Sequence, residues 1–92
     1  MKLTESEIAE RLTNLPDWAF KNGKLTRFFN CPTYASGVAL AVEIAMLSER
    51  INHHPDSLEI MYKKLRVAYI THDVGGITAL DFEAAEKVSQ LI

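Results

Sequence analysis

Trp18-Ala19-Phe20-Lys21-Asn22-Gly23-Lys24-Leu25-Thr26-Arg27-Phe28-Phe29-Asn30 is the stretch that decides the fold. Trp18 to Lys21 alternates in the two-residue rhythm of a strand. Asn22-Gly23 is the favoured pair for a two-residue turn, because both central positions need positive φ. Lys24 to Asn30 then returns as a second strand, so this stretch is read as a β-hairpin. Working back toward the start, Thr4-Glu5-Ser6-Glu7 fits a capping box. The Thr4 hydroxyl serves the Glu7 amide, and the Glu7 carboxylate reaches back. Ile8 and Leu12, reaching toward Leu15, form the apolar stripe of a short helix that Pro16 ends.

Beyond the hairpin, Pro32 breaks the second strand and Thr33 caps a long helix from about Tyr34 to Ile51. Val38, Ala41, Val42 and Ala45, with Ile44 or Met46, recur at the helical period and mark its apolar positions. His54 precedes a proline and is pushed out of the α region, which stops the helix. Two further extended runs follow, Leu58 to Tyr62 and Leu65 to His72, joined around Lys63-Lys64. In the second, Leu65, Val67, Tyr69 and Thr71 share one face, and Arg66, Ala68, Ile70 and His72 the other. After Gly75-Gly76, Thr78-Ala79-Leu80-Asp81 caps a final helix carrying Phe82, Ala85, Val88 and Leu91 or Ile92. The order is αββαββα, an α+β fold: a four-stranded antiparallel sheet with the helices packed on one face. An edge strand and an uncovered sheet face make self-association an expectation.

The composition bounds the function. The chain has 92 residues, enough for one domain over 1–92, and 48% hydrophobic against 24% charged residues is the balance of a folded globular chain. A net charge of −2 gives no general electrostatic reason to bind nucleic acid directly or an anionic membrane. No apolar run is long enough to span a bilayer, and the opening residues lack the apolar stretch of a signal peptide. The single cysteine, Cys31, suits a reducing compartment, so the expected location is the cytoplasm.

All three histidines fall at the ends of elements, where rigid frames commonly present functional groups. His53 and His54 stand where the long helix gives way to Pro55, and His72 ends the last strand. Glu49 faces His53 across one helical turn if the helix persists that far, and a carboxylate there would orient the imidazole and raise its pKa. Ordinary structural readings account for the same residues. Histidine interacts well with a helix C-terminus, His-Pro is a common helix stop, and His72 fits a strand-end surface residue. Trp18 fits the core, and Asp81 fits the third position of a helix cap. Neither an H-x-H nor an H-x-x-x-H pair is present, so no metal site is expected. Phosphate-binding, nucleotide-binding and serine-nucleophile signatures are missing as well.

The run Glu49-Arg50-Ile51-Asn52-His53-His54-Pro55, followed by Tyr62, His72 and Asp81, resembles the signature of the pterin-4a-carbinolamine dehydratases. That family is also known as the dimerisation cofactor of hepatocyte nuclear factor. The resemblance extends over nearly the whole chain, through Leu15-Pro16, Trp18 and Thr71-His72-Asp73. It implies removal of water from 4a-hydroxytetrahydrobiopterin to give quinonoid dihydrobiopterin, a step in tetrahydrobiopterin recycling, with neither organic cofactor nor metal. It further implies that His53 and His72 are the acid–base pair and that His54 positions substrate. Glu49 would orient or hydrogen-bond, Trp18 would wall the pocket, and Asp81 would belong to the site as well as to its cap. A homodimer or homotetramer is implied, since relatives form both.

Two departures from the family pattern have structural consequences. Six residues separate Pro55 from Tyr62, where many members have five, so a bulge or shifted hairpin is expected. Leu80 stands where many members carry arginine, so whatever that arginine contacts is lost here. The competing function class is a non-enzymatic interaction module, a coactivator docking helical partners through the long alanine-rich helix.

Overall fold

A computed structural model describes residues 1–92. Helix α1 (Glu5–Leu12) opens on the expected capping box, with both Thr4–Glu7 hydrogen bonds formed. Strands β1 (Ala19–Lys21) and β2 (Lys24–Asn30) make the hairpin, and Asn22 and Gly23 take φ of 52° and 78° as the two-residue turn requires. Helix α2 (Tyr34–Arg50) follows from a second capping box at Thr33, then β3 (Ser57–Met61), β4 (Lys64–Tyr69), one 3-10 turn (His72–Val74) and α3 (Ala79–Ser89). The sheet is antiparallel throughout, in the order β1-β2-β4-β3, and the architecture is the expected α+β arrangement.

The pleat divides the side chains of the sheet. Leu25 and Phe29 of β2 and Leu65, Val67 and Tyr69 of β4 are buried in one apolar core with Ile8, Ile44, Leu47, Phe82, Ala85 and Val88 of the helices. Each large apolar side chain taken out of water contributes about 1.5–3 kcal/mol, and these positions hold the helices on that face. The alternate residues, including Lys24, Phe28 and Arg66, lie on the other face.

The structure corrects several expectations. Helix α1 stops at Leu12, and Leu15 reaches the core from the turn beyond it. On α2 the buried positions are Gly37, Ala41, Ile44, Leu47 and Ser48, whereas Val42, Ala45 and Met46 point outward. The β3–β4 turn is Tyr62-Lys63, one residue earlier than expected, and Lys64 belongs to β4. Pairing runs without a bulge from Ser57↔Ala68 to Met61↔Lys64. β4 ends at Tyr69, and His72 opens the 3-10 turn instead of closing the strand.

Candidate functional site: three histidine–carboxylate pairs at one end of the sheet

The site is built by the way α2 ends. Asn52 adopts φ 57°, the left-handed conformation that Asn tolerates better than most residues. The His53 amide then donates to the Ser48 carbonyl and the Asn52 amide to the Glu49 carbonyl, closing a Schellman motif. This turn sends His53 inward and the chain on through His54-Pro55 into β3. Because β3 and β4 are antiparallel, the start of β3 lies beside the end of β4. His53 and His54 therefore share one end of the sheet with His72.

Each histidine meets a carboxylate through Nε2. His53 Nε2 lies 2.6 Å from Asp81 Oδ1, His54 Nε2 lies 2.6 Å from Glu49 Oε1, and His72 Nε2 lies 2.9 Å from Asp56 Oδ1. A carboxylate partner holds the ring proton on Nε2, which leaves Nδ1 as the nitrogen free to take or give a proton. The surroundings differ sharply. The His53 side chain is 12% exposed, against 58% for His54 and 71% for His72. His53 stacks on Tyr69, with ring centroids 5.8 Å apart and planes 14° from parallel.

Asp81 is fully buried and serves as both cap and anchor. Its Oδ2 accepts from the Thr78 amide at 2.9 Å, completing the α3 cap, and from the Thr71 hydroxyl at 2.8 Å. Since Thr71 directly precedes His72, Asp81 ties the His53 ring to the turn that carries His72. The Ser48 hydroxyl donates to the Ile44 carbonyl at 2.8 Å and accepts from the Tyr69 hydroxyl at 2.6 Å. Burial is the main reason the Tyr69 phenol is raised above its usual range, so it stays neutral and fixes the ring beneath His53.

Several predicted residues take partners the sequence does not reveal. Glu49 pairs with His54, not His53, because the left-handed turn at Asn52 removes His53 from the helical register. Trp18 is buried with its indole N–H donating to Ser89 Oγ at 3.0 Å, and its ring lies against Tyr69. Tyr69 thus contacts both Trp18 and the stacked His53 ring. Tyr62 is exposed at the β3–β4 turn, the opposite end of that hairpin from the histidines. Leu80 is half exposed in the first turn of α3.

Asp56 is the residue that sequence reasoning missed. It follows Pro55, its amide donates to the Ala68 carbonyl at 2.7 Å, and its second oxygen lies 2.8 Å from Lys24 Nζ. The Lys24 contact is the main reason the Asp56 carboxyl titrates below the ordinary aspartate range, and His72 lowers it further. A carboxylate one residue past His-His-Pro is the only sequence signal available for it, and that signal is weak without the hairpin register.

The chain is similar to known proteins along nearly its whole length. The family model described as pterin 4 alpha carbinolamine dehydratase matches residues 1–91. A relative from Chloroflexus aurantiacus is 37% identical over 91 residues, covering 99% of this chain and 97% of the relative. One from Sulfurisphaera tokodaii has the same identity and coverage. Both are provisionally named pterin-4-alpha-carbinolamine dehydratase. A crystal structure of a transcriptional coactivator/pterin dehydratase from Brucella melitensis superposes with a TM-score of 0.87 at 29% identity, over 98% of this chain and 97% of that one. A pterin dehydratase-like protein identified as a RuBisCO assembly factor in the alpha-carboxysome shares the fold at 20% identity and a TM-score of 0.65, over 80% of this chain and 84% of that one. With its histidine motif, its sheet order and a match along nearly its full length, the chain belongs to the pterin-4-alpha-carbinolamine dehydratase family.

Proposed function

We propose that residues 1–92 act as one dehydratase domain that converts a 4a-hydroxytetrahydropterin, 4a-hydroxytetrahydrobiopterin by family resemblance, to the quinonoid dihydropterin and water. The observation that carries this reading is the set of three imidazoles at one end of the sheet, each backed by its own carboxylate through Nε2. In the reaction the C4a hydroxyl accepts a proton and leaves as water. The N5–H proton is withdrawn, and its electron pair forms the new C4a–N5 double bond. Two proton transfers of opposite direction suit a pair of imidazoles, which titrate near neutrality and are most effective there.

His53 and His72 are assigned the two proton transfers, through their Nδ1 atoms. Asp81 holds the His53 ring from the buried side, and Asp56 holds His72 from the sheet. His54, oriented by Glu49, positions substrate at the exposed rim. Trp18 walls the pocket through its contact with Tyr69. The step belongs to tetrahydrobiopterin recycling in a reducing, cytoplasmic setting and needs neither metal nor organic cofactor. The purified protein is expected to accelerate carbinolamine dehydration above the buffer rate, and no acceleration at any protein concentration contradicts the assignment.

One observation supports a second reading, a docking module. The outer stripe of α2 leaves Val42 and Met46 more than half exposed, beside the exposed Ala45. We assign this stripe and the free β3 edge to homodimer or homotetramer contacts. Docking of a helical partner without dehydratase activity is the alternative. Partner binding by a histidine-free variant, together with an inactive wild type, favours the docking module.

A further inference from the structure

The uncovered face of the sheet carries a charge that the whole chain does not. The strand registers place Lys21, Lys24, Lys64 and Arg66 on this face with Glu59, and Asp56 reaches Lys24 from its edge, so cations outnumber carboxylates there in a chain whose net charge is −2. Within it lies a depression of about 400 Å³ lined by Lys21, Asn22, Lys24, Thr26, Phe28 and Arg66. Its lining includes three cations, an amide and a hydroxyl, and no carboxylate. Thr26 is 6% exposed and forms the floor, while Phe28 is half exposed and forms an apolar wall.

Two of the cations are already fixed in direction. Arg66 Nε donates to Glu59 Oε1 at 2.8 Å and its Nη2 to Ser57 Oγ at 2.9 Å, and Lys24 is held by Asp56. Lys21 makes no ion pair with any side chain. Two ion pairs link the depression to the histidine cluster. Lys24 lines it and touches one oxygen of Asp56, whose other oxygen touches His72. A single carboxylate therefore separates the cationic depression from a histidine assigned to proton transfer.

We propose that this depression is an anion subsite for a phosphate carried on the side chain of the pterin, so that the substrate class is a phosphorylated 4a-hydroxytetrahydropterin. This rests on the dehydratase reading for its substrate, though not for the existence of the subsite. A phosphate dianion is matched by guanidinium and ammonium donors converging from neighbouring strands, with the linker lying against Phe28. The charge attraction is exposed to solvent, so it weakens as salt is raised.

The test compares kcat/KM for two substrates, a carbinolamine with a neutral hydroxylated side chain and its side-chain phosphate monoester. In the wild type the ester is expected to be favoured at least about tenfold at low salt. In the Lys21→Gln/Arg66→Gln double variant that ratio is expected to fall toward one, and Lys21→Gln alone, which breaks no ion pair, is expected to fall between. No preference in the wild type, or a preference surviving in both variants, overturns the proposal. Free inorganic phosphate binding as tightly as the ester overturns the substrate assignment. If neither pterin is turned over, the dehydratase reading fails separately. Titration of the protein with tripolyphosphate then decides the subsite by amide NMR shifts, expected at Lys21, Lys24, Phe28 and Arg66, and their absence overturns it.

Discussion

Asp81 has no exposed surface, yet its two oxygens serve a histidine ring, a threonine hydroxyl and a helix amide. Removing it strands three donors at once. Loss of one partner from a buried ionic network costs about 3–5 kcal/mol, so Asp81→Ala should lower unfolding stability by about 3 kcal/mol or more in a urea titration. An unchanged midpoint would show that the buried network does not hold α3 to the sheet. Asp56 acts differently because its environment depresses its pKa. A carboxylate with a lowered native pKa contributes stability that is present above the unfolded value, near pH 3.9, and is lost as pH falls through the native one. Asp56→Asn should therefore be less stable than wild type at pH 7, with the gap closing in strong acid. A gap that persists in strong acid, measured by the same titration, contradicts the charge pairing.

At the scale of elements, the end of α2 matters most, since it decides where both adjacent histidines go. Asn52 holds a left-handed conformation that costs a β-branched residue about 1–2 kcal/mol. Asn52→Val should lose about that much stability in thermal or urea unfolding, and Asn52→Gly almost none. Equal stability of the two variants would contradict a left-handed requirement at Asn52. The outer face of α2 sets a second expectation. Met46→Glu should lower the mass of the assembly measured by light scattering, and an unaltered mass rules out that stripe as a contact. Much at this scale is legible from local chemistry, because Thr4, Thr33, Thr78 and Asn22-Gly23 announce caps and a turn whose partners lie within four residues. Less legible is which α2 stripe faces the sheet. Val42 and Met46 carry the helical period as well as Ile44 does, and only packing separates them. The β3–β4 turn lies one residue early for a related reason, since only the pairing of Met61 with Lys64 puts Tyr62 in the turn and Lys64 in the strand.

For the whole molecule, the decisive contacts are those the chain makes across long separations. His53 and Asp81 are 28 residues apart, and the Lys24–Asp56–His72 path crosses three segments. The motif marks the three histidines together with Glu49 and Asp81, but not which carboxylate serves which ring. Glu49 goes to His54 because the chain turns at Asn52, and Asp56 becomes a partner only when β3 docks beside β4. The fold thus contributes the pairing, and the pairing gives each imidazole a defined free nitrogen. Stopped-flow measurement of carbinolamine dehydration by wild type, His53→Ala, His72→Ala and the double variant tests the assignment of the two proton transfers directly. General acid–base catalysis supplies about 10²–10⁴ in rate, so each single variant should lose at least about tenfold, with the double variant near the buffer rate. A double variant that retains wild-type activity would contradict the assignment.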